Sequence, residues 1–184
     1  MSFIGIKIGH DVGRLFSSIE APGKKVPIDE LHITTLYLGK GIPLETLGRA
    51  VIAVAEVAEA TRPFRLVVES RSSFPMNDDG VPVICPVISE ELHDLNTRLK
   101  AALDAHGVDY SKKFTEYHPH VTLAYAEEPV PDEALPTLEW SAYEMVIWGG
   151  DSGDERMSAT FPFAFPMKAA TEQKLLRILA SAKK

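Results

Sequence analysis

One cysteine in 184 residues, Cys85, leaves the chain without an internal disulfide framework or a cysteine-based zinc site. A lone thiol between apolar strand neighbours is expected to be buried and inert, and it fits a reducing cytoplasm, the expected location. No apolar run approaches the roughly 20 residues of a helical membrane span, so no membrane partner is expected. The amino-terminal Met1-Ser2-Phe3-Ile4-Gly5-Ile6 lacks a basic region, a long apolar stretch and a small-residue cleavage site; it reads as a first strand, not a signal peptide. Positive charge is also scarce, with 19 Lys and Arg against 26 Asp and Glu and a net charge of −7. Proteins that hold long nucleic acids display a basic face to neutralise phosphates, so no stable complex with a long nucleic acid is expected. The pairs Lys24-Lys25 and Lys112-Lys113 leave room for a small nucleotide in a locally positive pocket.

Hydrophobic residues make up 45% of the chain, enough for a core. Strands are predicted over residues 3–8, 31–38, 64–69, 81–88, 119–126, 140–148 and 157–163. Residues 11–29 read as a loop with a short helical turn at 14–19, and 71–80 as a second loop ending in the Asn77-Asp78-Asp79-Gly80 turn signal. Pro82 and Pro86 point to an edge strand or an irregular ladder. Amphipathic helices are predicted over 44–60, with Leu44, Leu47, Val51, Val54, Ala55 and Ala58 as its stripe, and after Ser89, a natural N-cap, with Gly107 as the stop. A Pro-rich connection holds Pro129, Pro131 and Pro136. Strands and helices mix without regular βαβ alternation, which indicates an α+β fold with largely antiparallel sheets. Residues 31–38 and 119–126 match in pattern and hint at an internal duplication. The division expected is a domain over 1–165 and a helical tail over 166–184.

The chemistry is carried by His32-Ile33-Thr34 and His120-Val121-Thr122. Residues i and i+2 of a strand share a face, so each His and its Thr point one way while Ile33 and Val121 point into the opposite layer. Two such strands can converge on a phosphate, one imidazole accepting a proton from the nucleophile and the other supplying one to the leaving oxygen. An ordinary imidazole pKa near 6.5 makes both forms accessible at neutral pH. The threonine hydroxyls, Thr34 and Thr122, suit the non-bridging oxygens as charge builds in the transition state. No cofactor motif is present, and the chemistry needs none.

Leu31-His32-Ile33-Thr34-Thr35-Leu36-Tyr37-Leu38-Gly39 and His118-Pro119-His120-Val121-Thr122-Leu123-Ala124 resemble the two His-x-Thr segments of the 2H phosphoesterase superfamily, the LigT-like 2′,5′-RNA ligases and cyclic nucleotide phosphodiesterases. The resemblance extends over about residues 2–165. It implies a bilobal, pseudo-two-fold fold in which each lobe gives one His-x-Thr to a central cleft. It implies cleavage or transesterification of 2′-linked or 2′,3′-cyclic phosphodiesters in RNA ends or small cyclic oligonucleotides, without a metal. Carried over by position, His32 and His120 are the catalytic pair, and Thr34 and Thr122 bind phosphate. Many relatives place an arginine soon after the second motif, where this chain has Tyr125.

Around the motifs, Tyr37, Phe74, Phe114, Tyr117, Tyr125 and Trp148 are aromatic residues able to stack on a base. By strict alternation Tyr37 and Tyr125 face away from the histidines, which favours Phe114 and Tyr117 in the loop before the second motif. Lys112 in the same loop is a candidate for attracting phosphate. His118 shares a strand face with His120 and could line the rim or, with His32, complete a three-histidine metal site. Two other functions therefore stand beside the phosphodiesterase: a nucleotide-sequestering module without turnover, and a metal-dependent hydrolase using His118.

Overall fold

Apolar residues at every second position of the central strands force one face of each strand inward. The computed structural model describes residues 1–114, 116–149 and 157–164. Strand β1 (Ser2–Lys7) shows the rule, with Ile4 and Ile6 almost fully buried and Phe3 and Lys7 on the other face. It pairs antiparallel with β3 (His32–Gly39) on one edge and β8 (Glu144–Gly149) on the other, and β8 carries β9 (Met157–Pro162). The second half of the sheet is built from β4 (Phe64–Ser73), β5 (Val81–Pro86), β6 (His120–Ala126) and β7 (Glu133–Ala142). The continuous order is β7-β4-β5-β6-β3-β1-β8-β9, with the two-residue β2 (Lys24–Lys25) added to the free stretch of β6. All of these pairings are antiparallel.

Outward from its middle, this order is two-fold symmetric: β3-β1-β8-β9 on one side, β6-β5-β4-β7 on the other. The halves meet through one register pair, Ile33 opposite Val121, both fully buried. This is the α+β, bilobal arrangement expected from sequence, with the two sheets continuous through that single point.

Helices α2 (Leu44–Glu59) and α3 (Glu90–Ala105) pack on each other and on the β3 half. Ser89 caps α3, its hydroxyl accepting from the Leu92 backbone N–H at 3.4 Å, and Gly107, at φ +62°, ends it in the left-handed conformation. Leu92, Leu95, Leu99 and Leu103 form a fully buried stripe along α3. On α2 the buried stripe is Leu47, Ala50, Ala53, Val54, Val57 and Ala58, rotated from the sequence expectation, while Leu44 stays exposed.

Other elements depart from the sequence reading. Helix α1 spans His10–Ser18, where a loop with a helical turn was expected, and its Phe16 packs edge-on against Trp140 at 5.3 Å. The strand expected over 140–148 is two strands in different halves, broken at Tyr143: β7 pairs with β4, and β8 with β1. Pro136 lies within β7, in a stretch where four steps of β7 oppose two of β4 between Val68–Leu138 and Ser70–Ala134, so the missing N–H leaves no gap in a regular ladder. Strand β5 is interior, but its register pairs with β4 are only Ser72–Ile84 and Ser73–Val83, so Pro82 and Pro86 lie outside that ladder. The tail helix expected over 166–184 lies outside the described residues.

A buried leucine replaced by alanine loses transfer energy and leaves a cavity. Leu99→Ala is therefore expected to lower unfolding stability by about 2–5 kcal/mol. At Gly5 an added Cβ would lie 2.3 Å from the Ile33 carbonyl oxygen, a backbone atom that cannot swing away. Gly5→Ala is expected to cost about 2 kcal/mol, a typical value for strain imposed on backbone. Urea denaturation of both variants checks these values.

Candidate functional site

The site is assembled at the junction of the two half-sheets. Burial of Ile33 and Val121 in the helix-covered layer turns His32, Thr34, His120 and Thr122 to the other face. Each imidazole Nδ1 is within hydrogen-bonding distance of the carbonyl two residues earlier: His32 with Glu30 at 2.7 Å, His120 with His118 at 2.6 Å. A carbonyl only accepts, so Nδ1 carries the proton in both rings. The neutral imidazole then presents a bare Nε2 lone pair, and the protonated one an Nε2–H.

Burial lowers the pKa of both histidines below the ordinary imidazole value, opposed in each by the Nδ1 hydrogen bond. His120 is lowered further by charge on His32 and then on His118, so the two rings are within electrostatic reach of one another. Adding a second proton to the pair is therefore less favourable than adding the first. Thr34 is buried, and Thr122 is half-buried beside His120.

Aromatic rings flank each histidine. Phe3 lies 4.9 Å from the His32 ring and 4.7 Å from Trp148, and Trp148 is 5.6 Å from His32. Phe74 meets His120 edge-on at 4.7 Å. Phe3 was missed in the sequence reading; its alternation with Ile4 and Ile6 was the available signal.

The two tyrosines assigned to the far side are on the near one. Gly5 and Phe3, two apart on β1, stand opposite Thr34 and Tyr37, which are three apart on β3. Ile84 and Pro82, two apart on β5, stand opposite Thr122 and Tyr125, again three apart. Each motif strand thus holds one extra residue just after its threonine, a β-bulge that reverses the alternation. Tyr37 comes to within 6.1 Å of the Phe3 ring on the histidine face. Burial raises the pKa of Tyr125, followed by the Asp79 carboxylate and by Tyr37, so the two phenols are electrostatic neighbours.

The remaining candidates divide. Phe114 packs on Tyr37 at 5.6 Å and is 57% exposed, so it extends the aromatic surface at the edge of the site. Tyr117 does not join it: its hydroxyl is buried beside Thr35, and its ring packs against His93 of α3. Lys112 turns its ammonium onto the Tyr110 ring at 3.3 Å. His118 is exposed, 3.3 Å from the Glu116 carboxylate. Among the described residues no three His, Cys, Asp or Glu side chains gather as a metal-ligand group. Cys85 is fully buried, and that burial pushes its thiol up to about 12, against the opposing pull of Arg71.

Comparison with solved structures places this geometry among known folds. TT0787 of Thermus thermophilus superposes with a TM-score of 0.70 at 22% identity, covering 88% of this chain and 97% of that one. E. coli LigT in apo form gives 0.62 at 17% identity, with 89% and 94% covered. The same protein complexed with 3′-AMP gives 0.61 at 18%, with the same coverage. A search of curated proteins gave no match. The sequence model of the 2′-5′ RNA ligase superfamily matches residues 20–153, a span that holds both His-x-Thr strands, and the chain belongs to that superfamily.

Proposed function

We propose that the protein is a phosphodiesterase that cleaves 2′-linked or 2′,3′-cyclic phosphodiesters, in RNA ends or small cyclic oligonucleotides, by two-histidine acid–base catalysis without a metal. The observation that carries the reading is the matched pair of imidazoles, each with Nδ1 held by a carbonyl and Nε2 left to act. Membership of the superfamily supports phosphodiesterase or RNA-ligase-type chemistry. Its structural relatives include a LigT complexed with 3′-AMP, which is consistent with a nucleotide ligand here.

In this mechanism one Nε2 accepts the proton of a water or attacking hydroxyl as the new P–O bond forms. The other Nε2–H gives its proton to the leaving oxygen as the old P–O bond breaks, so the pair ends with its single proton exchanged between rings. Thr34 and Thr122 donate to the non-bridging oxygens, whose charge grows in the transition state. The resting pair must hold one proton. Lowered pKa values make that form scarce above neutrality in the free enzyme, and a bound phosphodiester anion favours it.

His32→Ala and His120→Ala are each expected to reduce kcat by about 100-fold or more, the usual contribution of a positioned acid or base. Excess chelator should leave the native rate essentially unchanged. Chelator-dependent loss restored by zinc would sink the metal-free mechanism. Tight nucleotide binding without product would instead favour a sequestering module.

The pH profile follows from the sign of the shifts. Both histidines titrate below 6.5 in the free protein. The singly protonated pair is then most populated below 6.5, and kcat/KM, which reports the free enzyme, should be bell-shaped with its maximum there. The kcat maximum should lie at higher pH, because bound phosphate raises both groups. Initial rates from about pH 4.5 to about pH 9 separate the two.

A further inference from the structure

The bulge in β3 creates an unpaired residue, and its partners come from outside the sheet. Gly5 and Ile4 stand opposite Thr34 and Leu36, so Thr35 has no opposite number on β1. Its carbonyl accepts from the side-chain amide of Asn96 on α3 at 2.7 Å. Its hydroxyl is closed to solvent beside the equally buried hydroxyl of Tyr117, and neither has a partner elsewhere among the described residues. Each is therefore the other's available partner, one donating and one accepting. Leaving either alone would carry the full desolvation penalty of a buried polar group.

This contact crosses from one half of the site to the other. Because β3 and β6 run antiparallel through Ile33 and Val121, the residues after Thr34 lie alongside those that lead into His120. No second register pair joins the two strands among the described residues, and Tyr117 spans the gap with its side chain, its ring edge-on to His93 of α3 at 5.4 Å. It directly precedes His118, whose carbonyl accepts from His120 Nδ1 at 2.6 Å, and Pro119, whose carbonyl accepts from the Val87 N–H at 2.8 Å. Residues 117–119 belong to no helix or strand. Before His32 the matching carbonyl, of Glu30, sits in the 3₁₀ turn Ile28–Glu30, where the Glu30 N–H donates to the Pro27 carbonyl at 3.0 Å. A local turn holds the first histidine's acceptor; the second histidine's acceptor has none.

We propose that Tyr117 is a positioning residue: anchored at Thr35, it fixes the His118 carbonyl against His120 Nδ1 and so ties the orientation of the second histidine to the first motif strand. This rests on the two-histidine reading and adds to it a residue that acts through His120 without touching substrate.

The test is the double variant Thr35→Val/Tyr117→Phe, which removes both hydroxyls and keeps both shapes. Replacing both partners of a buried hydrogen bond in this way is nearly neutral for stability, so its urea midpoint should match the native one. The imidazole 15N resonances should show His120 passing from the Nδ1–H tautomer to a mixture, while His32 keeps its own. The His120 pKa should fall further, because the carbonyl hydrogen bond that raises it is weakened. On whichever phosphodiester the enzyme cleaves, kcat should fall about tenfold and KM change by less than about twofold, since a misplaced reacting group costs rate. Thr35→Val and Tyr117→Phe alone should each give most of that loss, because they break the same contact. A native His120 tautomer with native kcat in these variants would overturn the proposal, as would equal changes at both histidines, which mark general loosening. Undiminished turnover by the His32→Ala/His120→Ala enzyme would overturn the two-histidine reading and the positioning role with it, a result that the tautomer measurement cannot produce.

Discussion

The site depends on one contact, the pairing of Ile33 with Val121. It is the single register pair between the half-sheets among the described residues, and both side chains are fully buried. Sliding either strand by one residue would put a histidine into the helix-covered layer and an aliphatic side chain on the open face, exchanging a satisfied core for a buried polar ring. Hydrophobic burial on one side of the strands thus fixes where imidazoles stand on the other. The aliphatic residue between His and Thr in each motif is part of the site's construction, although it never faces the site.

The same burial tunes the chemistry. Desolvation by the surrounding aromatic rings makes a charged imidazole less favourable, and the nearness of the two rings makes a second charge less favourable still. A site for proton exchange needs two groups that hold one proton between them, and this environment disfavours the doubly charged form. The carbonyls of Glu30 and His118 add what burial alone cannot, a fixed tautomer. They come from backbone immediately preceding each motif, so no side chain is needed as the acceptor.

How much of this was legible follows the physics of each feature. Features set by local chemistry could be read directly: the paired motifs, the Ser89 cap, the Gly107 stop, and the burial of Ile33, Val121 and Cys85. Features set by partners could not. Alternation assumes an unbroken ladder, and a bulge is decided jointly with the neighbouring strand, so Tyr37 and Tyr125 were assigned to the wrong face. The equal spacing from threonine to tyrosine in both motifs was the available hint, since symmetry-related strands tend to share irregularities. Pro136 read as a loop residue because proline breaks regular pairing, yet two extra residues of β7 accommodate it. Tyr117 looked like a loop aromatic free to meet a base, and only the position of α3 shows its hydroxyl turned inward beside Thr35. Helix α1 was hidden by Gly13, which is tolerated because Ile28 fills the space a side chain would need.

The acidity of the chain constrains how the phosphodiester proposed above is held. With a net charge of −7 the chain repels polyanions at long range, and salt screens that repulsion beyond about 8–10 Å. The binding proposed above then rests on short-range donors, the imidazoles and the threonine hydroxyls. A singly protonated histidine pair offsets one negative charge, and a second charge brings its own desolvation cost without a second cation to offset it. A phosphodiester carries one charge, and the phosphomonoester left by hydrolysis carries close to two at neutral pH. On the two-histidine chemistry proposed above, the arrangement around His32 and His120 therefore favours the reactant over its product.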